Sequence, residues 1–254
     1  MQRIESLSNA KIKRLKSLHK KKVRSDLDLF LVEGKKMVDE AISSSFTIEE
    51  IYISDSFKNK YEIFIKQNEK EKIYVVKDFI FDKISGTMKP QGIIAIIKKQ
   101  TFDVEQYIGN GSIVLLDQIN DPGNLGTILR TADAFNIGLC LYTDNSVDIY
   151  NEKVIRATMG SIFRVPYIKA NDKIINKLKD MKYSFLAMTL EGNDLSISEL
   201  SKKSVIVIGN ETHGISNGIL EICDKKIKIK MSENTESLNA AIAAAIIMYE
   251  ISKF

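Results

Sequence analysis

Short apolar runs alternate with longer periodic segments along the second half of the chain. The runs are four or five residues long and rich in β-branched side chains, as is typical of buried strands. They lie at Ile113–Leu116, Leu139–Tyr142, Phe185–Thr189, Val205–Ile208 and Ile227–Lys230. Because segments with helical spacing separate them, the pattern predicts an α/β fold, with a mostly parallel sheet covered by helices on both faces.

The first hundred residues show the same alternation on a smaller scale. The strand-like patterns lie at Ile51–Ile53, Ile73–Val76 and Ile93–Ile97. The helical patterns lie at Val38–Ile42, Phe57–Gln67 and Phe79–Ile84. The stretch 101–110 is polar and lacks periodicity, as expected of a linker. The pattern therefore predicts a small α/β domain at 1–100 and a larger one at 111–254, joined by that linker.

Three polar segments follow predicted strands of the second domain. They are Asn120–Arg130 (NDPGNLGTILR), Val205–Ser216 (VIVIGNETHGIS) and Ile227–Asn239 (IKIKMSENTESLN). Strands of a parallel sheet have their carboxyl ends at one edge, where α/β proteins bind ligands. Amides, a carboxylate and bare backbone beside apolar residues suit a nucleoside-sized ligand. The first segment matches neither the GxGxxG fingerprint nor a P-loop.

The three segments resemble, in the same order, the motifs of the SpoU/TrmH class of the SPOUT superfamily. The matching residues are Asn124, Gly126 and Arg130, then Gly209, Asn210 and Glu211, then Ser237, Leu238 and Asn239. This class consists of RNA 2'-O-ribose methyltransferases that use S-adenosylmethionine, so the resemblance implies that activity and that cofactor. It also implies a trefoil knot near the C-terminal end and a homodimer formed through the C-terminal domain.

A second resemblance concerns the N-terminal hundred residues. Phe30–Ala41 (FLVEGKKMVDEA) and Pro90–Ile97 (PQGIIAII) resemble the L30e-like RNA-binding domain that is often fused to this class. It implies that 1–100 binds the RNA substrate, and it favours ribosomal RNA over tRNA. Two other hypotheses remain open, a tRNA 2'-O-methyltransferase and a non-catalytic RNA-binding protein.

The family resemblance also assigns roles to single residues. It implies catalytic roles for Arg130, Asn124, Glu211, Asn239 and Ser237. It implies cofactor contacts for Thr189, Leu190, Gly209, Asn210, Ile229, Met231 and Leu238. Since a guanidinium is not deprotonated in proteins, holding the target hydroxyl or stabilising an alkoxide is an easier role for Arg130 than acting as base. An ion pair between Arg130 and Glu211, within one chain or across the dimer, is plausible.

Each of these residues also has a simpler interpretation when it is taken alone. Arg130 would then form a surface ion pair, and Glu211 would be an exposed carboxylate in a turn. Asn124 and Ser237 would cap helices, because short polar side chains accept hydrogen bonds from free N–H groups at helix starts. The ordered presence of all three motifs favours the functional interpretation.

Positive charge is concentrated near the N-terminus. The net charge is +4, and Lys11–Arg24 (KIKRLKSLHKKKVR) contains eight Lys or Arg and no acidic residue. Such a segment is either a solvated helix face or a surface that follows RNA phosphates. The methyltransferase resemblance favours the second, with Lys20, Lys21, Lys22 and Arg24 as candidate RNA contacts.

Composition narrows the remaining possibilities. Two cysteines without CxxC spacing indicate reduced thiols, and two histidines are too few for a metal site, so no metal is expected. The longest apolar stretch, Ala240–Tyr249, is too short to span a bilayer. We therefore expect a cytoplasmic protein with no membrane partner. Small residues in the last helix, Leu238–Ile251, would allow a second helix to approach closely, consistent with the implied dimer.

Overall fold

The computed structural model describes residues 1–68, 70–109, 111–194, 200–232, 234 and 237–254. Contacts divide this part of the chain into two units. Unit 1 contains Met1–Thr101 and Tyr150–Phe163, and unit 2 contains Phe102–Ile149 and Arg164–Phe254. Residues Glu233, Thr235 and Glu236 of the third polar segment lie outside the described residues.

Strands and helices alternate along both units. The strands are β1 (Gln2–Ile4), β2 (Leu29–Glu33), β3 (Ile48–Ser54), β4 (Ile73–Val76), β5 (Ile93–Lys98), β6 (Ile113–Leu116), β7 (Leu139–Tyr142), β8 (Tyr167–Lys169), β9 (Ser184–Asp194), β10 (Ser204–Ile208) and β11 (Lys225–Lys228). The helices are α1 (Ala10–Ser17), α2 (Lys21–Leu27), α3 (Lys35–Ile42), α4 (Asp55–Lys60), α5 (Glu62–Gln67), α6 (Asp78–Ile84), α7 (Pro122–Ala134), α8 (Glu152–Thr158), α9 (Asp172–Asp180), α10 (Asn217–Leu220) and α11 (Ala240–Ile251). Short 3₁₀ turns lie at Val104–Gln106 and Ser161–Phe163.

The described part of unit 1 is built on a mixed sheet with the strand order β1-β4-β3-β5-β2. The first three strands in that order are parallel, whereas β5 is antiparallel to both of its neighbours. The core on one face joins strand residues to apolar residues of α1 and α6, among them Ile12, Leu15 and Phe81. The three strands expected within 1–100 are confirmed inside β3, β4 and β5, but β1 and β2 were not predicted.

Two expected helices of unit 1 are each divided in the structure. The basic segment Lys11–Arg24 spans α1 and α2, which are separated because Lys20 has extended backbone angles (φ −88°, ψ 127°). The stretch Phe57–Gln67 spans α4 and α5, because Tyr61 (φ −127°, ψ 46°) is not helical. The lysines of the basic segment therefore lie on two helices, each shorter than the single expected one.

Unit 2 is built on a sheet whose described strands all run parallel, in the order β11-β9-β10-β6-β7-β8. Its buried strand residues pack against Ile174 and Leu178 of α9, and α11 packs on α7. The α/β class and the parallel sheet expected from the sequence are thus confirmed. All five predicted strands of this region occur, but β9 continues past Thr189 to Asp194, and β11 (Lys225–Lys228) begins and ends two residues before the predicted strand Ile227–Lys230.

A bulge interrupts the pairing of β9 with the edge strand β11. Lys226 pairs with Ala187, but the next residue, Ile227, pairs with Asn193. Residues 188–192 therefore leave the ladder, as in other bulges that redirect side chains near functional sites. Gly192 allows this, because a Cβ there would lie 2.6 Å from the Ile227 carbonyl carbon.

Among the described residues, no helix is both long and apolar enough to cross a bilayer. The trefoil knot implied by the resemblance stays a prediction.

Candidate active site

A cavity of about 460 Å³ opens at the edge of the unit 2 sheet where parallel strands end. It is lined by every residue that the sequence suggested for the cofactor, namely Thr189, Leu190, Gly209, Asn210, Ile229, Met231 and Leu238. Two of the expected catalytic residues, Glu211 and Ser237, also line it. The volume lies in the range of sites for small molecules.

The wall of this cavity combines apolar surface with isolated polar groups. Ile208, Ile215 and Ala243 contribute apolar surface. Thr189 lies on the β9 bulge, and its Oγ1 is buried without a hydrogen-bond partner among the described residues. Because a buried hydroxyl without a partner is costly, this atom is a candidate for hydrogen bonding to a ligand.

The loop after β10 forms a tight turn that closes on itself. Asn210 and Gly214 exchange two backbone hydrogen bonds of 2.9 Å. A Cβ on Gly209 would lie 2.5 Å from the Ile215 nitrogen, so glycine is required here by the loop's own backbone. The Asn210 side chain is also used internally, since its Oδ1 accepts from the N–H of Thr212 (2.8 Å). The backbone and the side chain of Asn210 therefore both serve to hold the loop, so Asn210 shapes the cavity wall.

A chain of amide hydrogen bonds joins the three motifs. Asn239 caps α11, with its Oδ1 accepting from the N–H groups of Ala241 (2.9 Å) and Ile242 (3.3 Å). This orients its Nδ2, which donates to Asn124 Oδ1 at 3.0 Å. Asn124 Nδ2 in turn donates to Glu211 Oε1. Every donor points from the positive end of α11 toward the carboxylate, so the chain of bonds fixes and stabilises Glu211.

Helix α7 positions Asn124 and Arg130. Asp121 caps the helix by accepting from the Asn124 N–H (2.7 Å), and Pro122 occupies its first turn. Arg130 is exposed, as expected, while Ile128 and Leu129 beside it are buried. The plausible ion pair between Arg130 and Glu211 is not formed within the described residues of one chain, where the Arg130 guanidinium has no partner. Arg130 does not line the cavity itself.

The candidate RNA contacts of the basic segment divide into two groups. Lys20, Lys21 and Lys22 are exposed and form no ion pair within the described part of the chain. Arg24 is only 3% exposed, and its guanidinium donates to the carbonyl of Leu18 (2.9 Å). Its expected RNA contact needs correction, because the guanidinium is used inside unit 1 to satisfy carbonyls at the end of α1.

Several residues of the cavity were not found from the sequence. Glu191, Lys226 and Lys228 lie on its wall, and Gly192 shapes it. A signal for the lysines existed in the alternation KKIKIK at 225–230, which places lysines at the end of a strand that leads into a polar segment. The bulge that brings Glu191 to the cavity had no local signal, because it depends on the register between β9 and β11.

Comparison with known proteins identifies the family. Residues 111–249 match the model of the SpoU rRNA methylase family, and residues 9–95 match the model of an MRM3-like substrate binding domain. The chain belongs to the SpoU rRNA methylase family. Its members are RNA 2'-O-methyltransferases that depend on S-adenosylmethionine.

Full-length relatives support this membership. The chain is 31% identical over 254 residues to the Bacillus subtilis 23S rRNA (guanosine(2553)-2'-O)-methyltransferase RlmP, covering 99% of both chains. An S-adenosylmethionine-bound rRNA methyltransferase from Sinorhizobium meliloti has a TM-score of 0.86 at 26% identity, with 99% of this chain and 97% of that chain covered. The SpoU methyltransferase AviRb from Streptomyces viridochromogenes shares the fold, with a TM-score of 0.85 at 22% identity over 96% of this chain and 98% of the other.

The residues of the cavity are chemically suited to S-adenosylmethionine. Its adenosine has an apolar face and a polar edge, which match the aliphatic wall and the unpaired hydroxyl of Thr189. Its sulfonium and amino groups are positive, and the carboxylates of Glu191 and Glu211 lie on the wall. The family's cofactor therefore fits the donor set and the volume of this cavity.

Proposed function

We propose that this protein methylates a ribose 2'-hydroxyl of ribosomal RNA, with unit 2 holding cofactor and target nucleotide and unit 1 binding RNA around the target. The observation that carries the proposal is the single cavity lined by all the residues suggested for the cofactor, beside the chain of amides that ends at Glu211. Bound S-adenosylmethionine supplies an electrophilic methyl group. The protein's part is to hold, orient and deprotonate or polarise the hydroxyl.

Arg130 is the residue that we assign to the target hydroxyl. Its guanidinium is exposed and has no partner among the described residues, so it can donate to RNA oxygens without breaking an internal bond. A cation held near the hydroxyl by bound RNA stabilises negative charge that develops on the hydroxyl oxygen. This role needs no deprotonation of the guanidinium.

Glu211 is assigned a supporting role at the same site. The bond from Asn124 occupies one carboxylate oxygen and leaves the other for the ribose or for Arg130 once RNA is bound. Asn124 and Asn239 act by holding that carboxylate in place. Ser237 is exposed on the cavity wall, where its hydroxyl can meet cofactor or substrate.

The proposed RNA surface of unit 1 includes the exposed lysines at the start of α2. Lys20, Lys21 and Lys22 carry three unpaired charges within four residues of the buried anchor Arg24. A patch of exposed, unpaired lysines suits phosphate contacts, which give affinity without sequence selectivity. We therefore assign RNA binding to unit 1, which contains the expected domain at 1–100 together with Tyr150–Phe163, and catalysis to unit 2, which contains the rest of the expected domain at 111–254.

The choice of ribosomal RNA rests on similarity over the whole length. The Bacillus subtilis relative, named for a guanosine of 23S rRNA, covers 99% of the chain at 31% identity. A cytoplasmic location follows from that substrate. Mapping 2'-O-methyl positions in RNA from cells with and without the gene tests the proposal. Loss of one rRNA methylation supports it, loss of a tRNA methylation favours the alternative enzyme, and no loss favours a non-catalytic RNA-binding protein.

We also propose a homodimer formed through α11. Ile242 and Tyr249 are 53% and 51% exposed, and seven residues place them on one face of the helix. A second copy would cover this apolar face. Light scattering on the full chain should show a dimer that becomes monomeric in Ile242→Lys/Tyr249→Lys. The matched control is Ile63→Lys in unit 1, where the side chain is 73% exposed and no effect is expected.

A further inference from the structure

A buried carboxylate lies directly after β6, outside the residues assigned so far. Asp117 is 1% exposed, and both of its oxygens accept hydrogen bonds at 2.7 Å, from Thr143 Oγ1 and from the Ser216 N–H. No cation pairs with it among the described residues. Because an unpaired buried carboxylate is costly unless it is fully hydrogen-bonded, a neutral side chain would be the easier choice if this place served packing alone.

The next residue makes a second connection to the same loop. Gln118 has left-handed backbone (φ 55°), and its N–H donates to Thr143 Oγ1 at 3.1 Å. Its carbonyl accepts from Asn210 Nδ2 at 3.0 Å. Asp117 and Gln118 thus hold the loop near both of its ends, at Asn210 and at Ser216.

The loop held in this way forms one wall of the cofactor cavity. The consecutive residues 209–215 all line the cavity, and Glu211 among them receives the bond from Asn124. Asp117 and Thr143 do not line the cavity. Any influence that they have on the reaction must therefore pass through the position of the loop.

We propose that Asp117 is a positioning residue for methyl transfer, acting with Thr143 to place the 209–216 loop for cofactor binding and for the orientation of Glu211. This inference rests on the proposed function of the cavity. Asparagine cannot replace the carboxylate fully. Its amide offers one acceptor oxygen where two donors, the Thr143 hydroxyl and the Ser216 N–H, now meet two oxygens.

The experiment compares Asp117→Asn with Glu50→Gln in the full chain. Glu50 is a control for the loss of a buried carboxylate elsewhere, since it lies in unit 1, is 6% exposed and accepts from Tyr52 Oη at 2.6 Å, although unlike Asp117 it also pairs with Lys11. The measurements are the dissociation constant for S-adenosylmethionine by calorimetry, single-turnover methylation of RNA, and the melting temperature. Loss of one charge-assisted bond should weaken cofactor binding about tenfold in Asp117→Asn and slow transfer at saturating cofactor. Glu50→Gln should lower only the melting temperature.

A second pair of variants keeps the inference testable if Asp117→Asn does not fold. Thr143→Ser keeps the hydroxyl and should bind the cofactor normally, whereas Thr143→Val should reproduce the weaker binding. Equal cofactor affinities in Thr143→Ser and Thr143→Val overturn the inference. Normal affinity and transfer in a folded Asp117→Asn also overturn it. If the unmodified protein does not bind S-adenosylmethionine at all, the proposed function of the cavity fails first, so the two failures are distinguishable.

Discussion

Two arginines, one at the junction between α1 and α2 and one on α7, differ in burial and in hydrogen bonding. At the junction, Arg24 is buried and donates to the carbonyls of Leu18 (2.9 Å) and His19 (2.8 Å). On α7, Arg130 is exposed and has no partner among the described residues. An arginine that completes backbone hydrogen bonding supports the fold, whereas one without internal acceptors remains available to a substrate.

The surroundings of the two arginines extend this contrast. Near the junction, Lys11 pairs with Glu50 at 2.6 Å and Arg14 with Glu49 at 2.5 Å, so these two cations of unit 1 are neutralised internally. Near α7, the polar groups bond to one another through the amide of Asn124 and leave the nearby cation unpaired. A cation that pairs within the protein contributes to the stability of the fold. A cation without an internal partner is the one that we expect to act on the substrate.

The largest effect should follow from changing the unpaired arginine. Arg130→Ala should lower methyl transfer by about 10²–10³-fold or more, because a donor that stabilises the charge developing on the hydroxyl oxygen is lost. Arg130→Lys should recover little, since lysine lacks the planar fork of donors. Single-turnover methylation, with cofactor affinity and melting temperature measured in parallel, checks this.

The control for that prediction is a polar substitution in the cavity. Leu238→Gln should weaken cofactor binding first, because Leu238 lines the cavity, while Arg130→Ala should leave binding nearly intact. Near-normal transfer by Arg130→Ala would remove the catalytic assignment but not the cofactor site.

The opposite outcome is expected for the buried arginine. Arg24→Met should lower the free energy of unfolding by about 2 kcal/mol, because two carbonyls lose a charged donor. Transfer per folded molecule should not change. Urea denaturation measures the first quantity, and Lys20→Met, at an exposed position, is the matched control with little expected effect. Equal midpoints for the two variants would contradict the internal role of Arg24.

A smaller effect should follow from the exposed lysines beside that junction. Replacing Lys20, Lys21 and Lys22 with glutamine should reduce the slope of log affinity against log salt by about 2, if all three meet phosphates of single-stranded RNA. Cofactor affinity should stay constant. RNA binding measured at several salt concentrations gives the slope, and an unchanged slope would place the RNA surface elsewhere.

The smallest effect concerns His19, at the same junction. Its Nδ1 lies 2.5 Å from Glu152 Oε1 and its Nε2 lies 3.0 Å from the Ile84 carbonyl, so both nitrogens can donate when the ring is protonated. The hydrogen bond to Glu152 raises the pKa of His19 above 6.5. Burial acts to raise the pKa of Glu152, but the hydrogen bond from His19 acts to lower it, and the pKa of Glu152 lies below 4.5.

These shifts determine the pH dependence of stability. The stabilisation of the folded state by His19 is present below about pH 6.5 and is lost as pH rises through the raised pKa of His19. The stabilisation by Glu152 is lost as pH falls through the lowered pKa of Glu152. The difference in unfolding free energy between the unmodified protein and His19→Gln should be largest below about pH 6.5 and should decline as pH rises through the raised pKa of His19. Urea denaturation at several pH values measures this difference, with His213→Gln, at an exposed position, as the control. A difference between the unmodified protein and His19→Gln that does not change with pH would contradict the prediction.

The sequence by itself determined the class of fold and where the site would lie. A short apolar run indicates a buried strand, and the run can be read from neighbouring residues alone. Three of the predicted strands therefore coincide with β4, β6 and β7 residue for residue. The motifs end those runs, and parallel strands must bring them to one edge. The family resemblance then implied that residues as distant in sequence as Thr189 and Leu238 contact one cofactor, and both line the same cavity.

Only the tertiary structure decided how individual polar groups are used. Periodicity shows which side chains are apolar, but it does not show which carbonyl meets a guanidinium, so Arg24 was expected on the surface and is buried. The packing of Tyr150–Phe163 in unit 1 and the bond from Asp117 to Ser216, across 99 positions, likewise depend on contacts between distant residues. Such contacts form only when the chain is folded, because each needs two segments whose local patterns carry no information about the other.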